Sequence, residues 1–597
     1  MRNLNCWLAI PLLILSNTAV AASTADLEAR RKALNDLLHE QWEYSMRASP
    51  LYASFLGDKR YNDLLDDFSQ KQIDDEHEQS RRFLARFQAI DTTGFPEQEV
   101  LNRQLMMRDL KMDLDGVRFK PWEMPVNQFN GVHIDLPQLV NILSFETKKD
   151  YDDYIARLRQ IPRLFDQTEV QMRKGMADNL MPPRLLLEEV VTQANEIATT
   201  SAEKSPFAHP FDKFPDAIAE ADRKPLHEAG LAAIHDSVIP AYVQFTAFVR
   251  DEYAPKGRTE PGVWSLPDGA DRYAFRVKES TTTNLTPEEI HEIGLAQVKE
   301  IEGRMLAVAR QLDYPDLKSF YAAIKTNPKL HAHSREEILD LYRKYIDQMY
   351  TQLPDLFTRL PKGRLDVMPI EEFREKQAST HYLEGTPDGS RKAHVMVNTG
   401  DFDKRTTLDI ETTAYHEGVP GHHLQISQVR AEQENLNRWQ RLMCWVSGYS
   451  EGWAKYAERL MGELGYLDDP GPRFGMLYAQ LTSAAIAALD IGVHLELEIP
   501  KGTGWREGER WNAEIAREFL RAHSSWEEKR LRFELHRFLG WPGQAPSYKL
   551  GERIWLQARE EAKARAGAAF SLKDFHSKAL SLGAMGLDPL REALSRC

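Results

Sequence analysis

TPEEIHEIGLAQVKEIEGRMLAVARQL, residues 286–312, is the stretch that decides the fold class. Thr286 stands just ahead of a proline, and Glu289 follows Thr286 by three residues. That is a capping box, in which two residues satisfy each other's free groups at a helix start, with proline at the first helical position. Beyond it, apolar residues recur three and four apart, which predicts a long amphipathic helix. The same period runs through LEARRKALNDLLHEQWEYSMRAS, where Leu34, Leu37, Leu38 and Trp42 share a face, and through NRQLMMRDLKMDL, DDYIARLRQIPRLFDQTEVQMRKGM and PRLLLEEVVTQANEI. Strand signals are few. YAFRVKEST (273–281) and AHVMVNTG (393–400) are the two candidates, the second read as an edge strand ahead of a histidine-rich segment. Trp439, Met443 and Trp445 read as core residues. The expectation is a mainly α protein in two helical halves, with a small β element near the candidate site.

The chain has 597 residues, a formal net charge of -14 and 28% charged residues. That acidity argues against a nucleic-acid partner. The first 22 residues carry Arg2, the apolar run WLAIPLLIL and the small-x-small Ala19-Val20-Ala21. They read as a cleavable signal peptide cut near Ala21 or Ala22, so the mature protein is expected to be exported, and periplasmic in a Gram-negative cell. No later stretch has the roughly 18 consecutive apolar residues of a membrane span. The proline- and glycine-rich connector near 254–270 divides an N-terminal helical region, 23–260, from a second region, 261–597. Only Cys444 and Cys597 remain after cleavage, so a metal would need histidine and carboxylate ligands.

Such ligands are concentrated in YHEGVPGHHLQ, residues 415–425. His416-Glu417 begins like the H-E-x-x-H zinc helix, in which the first histidine binds metal and the glutamate serves as general base. The position four residues on is Pro420. On an unbroken helix His422, six residues from His416, would point about 600° around the axis, and His423 would stand about 10.5 Å along it. Pro420 forbids that helix, because it lacks an N–H and its ring meets the carbonyl of residue 416. Gly418 and Gly421 permit an irregular backbone. We expect a bulge that loops out two residues and returns His422 to His416, with His423 as the alternative ligand. GYSEGWAKYAERLMGELG reads as a downstream helix with Glu451 and Glu458 on one face; Glu451 is the candidate third ligand, and Glu458 a candidate supporting residue or alternative ligand.

HEGVPGHHLQ, followed by SEGWAKYAE and PGQAPSYKLG, resembles a bacterial family known as domain of unknown function 885. PVNQFNG (125–131) and GVWSLPDGADRYAF extend the likeness over most of the mature chain. That family is in turn similar to gluzincin-type zinc metallopeptidases, among them the helical carboxypeptidase Taq group. The resemblance implies a zincin-like fold with a cleft between the helical halves, one Zn2+ per chain on His416, His422 and Glu451, and Glu417 as catalytic base. LTSAAIAALDIGVH departs from the family pattern in carrying no arginine.

Asp490 and His494 stand four apart on an apolar helix, where the carboxylate would orient the imidazole for an oxyanion or a substrate carboxylate. Tyr548, after the turn-rich PGQAPS, is a second candidate for stabilising developing charge. Arg473 and Arg553 are candidate carboxylate binders. The leading expectation is an exported zinc metallopeptidase acting on a peptide or small amide. A zinc amidase for cell-wall or γ-glutamyl amides and a non-catalytic exported binding protein are its rivals.

Overall fold

The computed structural model describes residues 13–375, 378–431 and 436–596. The first 12 residues of the expected signal peptide, and Cys597, lie outside that range. Cys444 is a free thiol.

The chain is mainly helical, with a single three-stranded sheet among the described residues. Helices Leu13–Ala48, Gln70–Ala89 and Glu97–Gly116 open it, and Lys148–Leu158, Ile161–Ala177, Arg184–Ala198 and Ile239–Phe248 build a second cluster. The later helices that frame the site are α1 (Gly269–Thr281), α2 (Pro287–Gln311), α3 (Arg335–Leu356), α4 (Ile410–Glu417), α5 (His422–Ala431), α6 (Ser447–Glu463), α7 (Pro470–Leu495), α8 (Glu528–Gly540) and α9 (Pro546–Ala566). The strands are β1 (Asp366–Pro369), β2 (His381–Leu383) and β3 (His394–Val397).

The capping box at the start of α2 is formed as its sequence requires. Glu289 N donates to Thr286 Oγ1 at 3.2 Å, and Thr286 N donates to Glu289 Oε2 at 2.8 Å. Leu34, Leu37, Leu38 and Trp42 are all buried on one face of the first helix. Trp439 is buried as expected, but Trp445 is 55% exposed and is not a core residue.

Both strand expectations need correction. Residues 273–281 are helical, part of α1, whose buried residues Tyr273, Val277 and Thr281 fall four apart. Tyr, Phe and Val favour strands only where a pleated surface awaits them, and here packing at helical period prevails. Residues 394–397 do form a strand, but β3 is central. It pairs in parallel with β1 and antiparallel with β2, with Tyr382 opposite Val395. The edge toward the site is β2.

The apolar interior forms one large cluster and two smaller ones. A connector near 260 does fall between Ala254, the last residue of the second cluster, and Val263, the first of the third. The large cluster nevertheless crosses it, joining Leu34, Trp42, Phe87 and Met106 to Tyr342, Trp453 and Leu489. Helix α7 is long and apolar enough to span a membrane, yet 83% of its most apolar window is buried inside the protein.

Two long helix pairs carry this core: α2 runs along α7, and α6 along α9. The second pair meets backbone to backbone. A Cβ on Gly452 would stand 2.5 Å from Gly551 Cα, and one on Gly551 would stand 2.3 Å from Gly448 O. Glycine at these positions lets the helix carrying Glu451 lie directly on the helix carrying Tyr548. Gly452→Val should therefore destabilise the protein by about 1–3 kcal/mol through overpacking. Gly303→Ala, in open space on α2, should stabilise it by about 0.5–1 kcal/mol. Urea unfolding midpoints of the two variants test the contrast.

Candidate metal centre

Helix α4 ends at Glu417, and α5 begins at His422. The inferred bulge inside one helix is thus a complete break between two. A helix could not continue past Pro420 without losing a hydrogen bond and meeting the carbonyl of His416. The Val419–Pro420 peptide is cis. Gly418 N donates to Ala414 O at 2.9 Å and closes α4. Gly421 N then donates to Tyr415 O at 2.9 Å, so the loop turns back across the helix end it has just left. A Cβ on Gly421 would lie 1.9 Å from His416 O, a contact only glycine allows. Trp453 Nε1, on α6, donates to Pro420 O at 2.9 Å and ties the loop to the third helix.

This path brings His416, His422 and Glu451 together, with one ligand atom from each within 4.8 Å of the others. Glu451 Oε2 lies 3.4 Å from His416 Nε2 and 3.5 Å from His422 Nε2. The two imidazoles stand at 88° to one another. Ligands about 2.0–2.1 Å from a tetrahedral ion are about 3.3–3.4 Å apart, close to these separations, whereas a strong charged hydrogen bond would be about 2.7–2.9 Å. Glu451 Oε2 is buried and has no hydrogen-bond partner. Leaving a carboxylate oxygen in that state is costly unless a cation compensates it. By donor type, spacing and the orphaned oxygen, the three residues fit a zinc ion.

The surroundings favour positive charge. His416 Nδ1 is 2.8 Å from Glu458 Oε1, which also pairs with Lys455 Nζ at 2.9 Å. Burial opposes a charged His416 ring, but the Glu451 and Glu458 carboxylates outweigh it and hold its pKa up to about 10. Burial likewise opposes ionisation of Glu451, and the two histidines override it to hold that carboxyl below its ordinary range. Glu458, anticipated as a supporting residue, orients the first histidine in the manner usual for metal-bound imidazoles. His422 Nδ1 has no hydrogen-bond partner.

His423 faces elsewhere. Its Nε2 donates to Gly363 O at 3.1 Å, and its Nδ1 accepts from Tyr382 Oη at 3.1 Å. Burial lowers its pKa to about 4. Both nitrogens are committed, so the alternative second ligand is ruled out by geometry. Glu417 stands beside the histidines and is itself fixed: its Oε2 accepts from the main-chain N–H of Tyr382 at 3.0 Å. The edge strand β2 thereby orients the expected base.

Tyr548, at the start of α9, is partly exposed. Desolvation of its hydroxyl raises the pKa well above the ordinary tyrosine value, with the Glu451 charge adding to the effect and Arg537 opposing it. It therefore remains an O–H donor at this site. Arg537, on α8, lies over the Tyr548 ring at 5.8 Å and is held through its Nε by Glu534 at 3.0 Å. Sequence reading missed this arginine, which looks like one more charge on an amphipathic helix. Of the arginines it named, Arg473 pairs with Asp468 on the surface and Arg553 is on an exposed face of α9.

The expectation for His494 does not hold. It is fully buried, its Nδ1 accepts from Val263 N at 3.1 Å, and its Nε2 donates to Phe538 O at 3.1 Å. Burial lowers its pKa to about 3, and the neutral ring has no nitrogen left for substrate. Asp490 does stand beside the ring, its Oδ1 3.3 Å from His494 Nε2, but the pair is sealed in the core and the same carboxylate accepts from Gly543 N at 3.0 Å. Together these residues brace the wall that carries Arg537 and Tyr548, since Phe538 adjoins Arg537 and Gly543 begins the turn into α9. PVNQFNG serves the same wall, with Asn127 Nδ2 donating to Gly540 O at 2.9 Å and Gln128 Nε2 to His536 O at 2.6 Å.

The family described as "Bacterial protein of unknown function (DUF885)" matches residues 50–594. The chain belongs to that family. No curated protein matches it. Among solved structures, a candidate lipoprotein from Colwellia psychrerythraea is 26% identical, with a TM-score of 0.86 over 95% of this chain and 99% of that one. A candidate lipoprotein of unknown function from Shewanella oneidensis is 17% identical, with a TM-score of 0.69 over 94% and 99%, a likeness of fold alone.

If the three residues hold zinc, adding Zn2+ to metal-free protein should raise Tm, and Glu451→Ala should abolish the rise. Glu458→Gln should retain the site but weaken it about 10- to 100-fold, measured by competition with a chromophoric chelator.

Proposed function

We propose that this member of the DUF885 family is an exported zinc-dependent peptidase of the gluzincin kind. The observation that carries the reading is the convergence of His416 Nε2, His422 Nε2 and the unpartnered Glu451 Oε2 beside Glu417. Two histidines and a glutamate with a free fourth position are the ligand set of catalytic rather than structural zinc. Export is supported by the signal-like leader of this sequence, and the two solved relatives are themselves described as lipoproteins.

His416, His422 and Glu451 would hold a zinc ion, which would supply Lewis acidity to a water and to a carbonyl at this site. Glu417 accepts the proton of the attacking water on its carboxylate and delivers it to the departing amine nitrogen. The Tyr382 N–H, bound to Glu417 Oε2, keeps the other oxygen pointed at that task. Tyr548 offers its hydroxyl to the negative charge that develops on the carbonyl oxygen. Arg537 places a guanidinium on the same wall, suited to a peptide's terminal carboxylate. The edge strand β2 gives an extended peptide a main chain to lie along.

Glu417→Gln should lower peptide hydrolysis by at least about 100-fold while zinc stays at one per chain by atomic absorption. Retained activity in that variant would refute the role of Glu417. A zinc-free native protein that cleaves nothing in a peptide library would favour a binding protein instead.

A further inference from the structure

A second cavity, of 660 Å³, opens between α2, α6, α7 and α9. None of the metal ligands lines it. Its floor holds charged and amide groups that are rarely buried. Gln480 on α7 is 1% exposed, and Lys549 and Glu552 on α9 are 3% and 1% exposed. Lys549 Nζ bonds to Glu552 Oε2 and lies 3.4 Å from Gln480 Oε1. That leaves Gln480 Nε2 and Glu552 Oε1, both buried and both without a hydrogen-bond partner. Across the cavity, Gln297 Oε1 on α2 is a third such atom. Buried polar atoms are rarely left unsatisfied unless something outside the chain meets them.

The unmet atoms are of both kinds. Gln480 Nε2 is a donor, and Glu552 Oε1 and Gln297 Oε1 are acceptors. The mouth carries both signs: Arg304 and Arg553 are exposed guanidiniums that form no ion pair among the described residues, and Glu292 and Glu300 line it beside them. Arg459 adds a third cation, 3.8 Å from Glu552 Oε1. Leu285, Ile293 and Leu556 supply an apolar side to the same space. A simple anion would leave the two acceptors bare, and a simple cation would leave the amide donor and the arginines bare. A molecule with a carboxylate, an ammonium and an apolar side chain would answer all three features.

We propose that this cavity is a binding site for a small zwitterion, an amino acid or dipeptide with an apolar side chain. Its carboxylate meets Gln480 Nε2 and Arg553, and its ammonium meets Glu552 Oε1 and Gln297 Oε1. The site is separate from the metal centre and does not depend on the activity proposed for it.

Isothermal titration calorimetry on the full mature chain tests this with three probes: L-leucine, N-acetyl-L-leucine and L-leucinamide. L-Leucine should bind saturably, and each probe lacking one charge should bind at least about tenfold more weakly. Ala296→Trp, on the exposed face of α2 at the cavity's rim, should block binding, and Arg553→Glu should weaken it by about tenfold or more. Glu451→Ala, which removes a metal ligand, should leave L-leucine binding unchanged and so separates this site from the catalytic cleft. Absence of saturable L-leucine binding, equal binding of N-acetyl-L-leucine, or undiminished binding by Ala296→Trp with native circular dichroism would each overturn the proposal.

Discussion

Pro420 prevents α4 from continuing, and the turn it forces is what the candidate site depends on. Continuous helix would send His416 and His422 to different faces. Four residues of irregular backbone instead carry the chain across its own helix end, with Gly421 pressed against the carbonyl of His416. The second histidine then starts a new helix at the height of the first. Trp453 holds the loop by the Pro420 carbonyl, two residues from Glu451 on the same helix. One main-chain break thus sets the relation between the three helices that carry His416, His422 and Glu451.

Electrostatics completes what the backbone begins. Glu451, Glu458 and Glu417 gather around two imidazoles in a buried space, and Lys455 is the cation paired with Glu458. The gathering is tolerable because each carboxylate has a fixed engagement: Glu458 with His416 and Lys455, Glu417 with the Tyr382 amide, and Glu451 with the space between the histidines. Glu451 Oε2 and Glu458 Oε2 both lack a hydrogen-bond partner, and the first lies 3.4 and 3.5 Å from the two imidazole nitrogens. That oxygen is where a cation would be met if the three residues hold one.

Much of the helical framework was legible in the sequence, since periodicity and caps are local. The α2 capping box and the buried face of the first helix follow directly from residue spacing. The three residues that converge at the candidate site were legible too, because their types and offsets are unusual together. Other features depend on contacts between distant segments. Residues 273–281 read as strand because Tyr, Phe and Val favour it, and only their packing against α7 and α9 makes them helical. His494 looked reactive because a carboxylate stood one turn away; that carboxylate is there, but Val263 and Phe538, 231 and 44 residues distant, also engage the ring and close it off. Arg537 and the Tyr382 amide gave no local signal at all.

The crossing of α6 on α9 bears on how such a site can vary. Glu451 is the neighbour of Gly452, and Tyr548 is three residues from Gly551, so the ligand and the hydroxyl opposite it are spaced by main chain touching main chain. Side chains can change rotamer to absorb a substitution, but two peptide backbones in contact have no such slack. The separation between the main chains that carry Glu451 and Tyr548 therefore behaves as a fixed dimension of the scaffold. Variation around the candidate site has more room at its borders, the short edge strand and the arginine-bearing end of α8, where side chains rather than main chains meet.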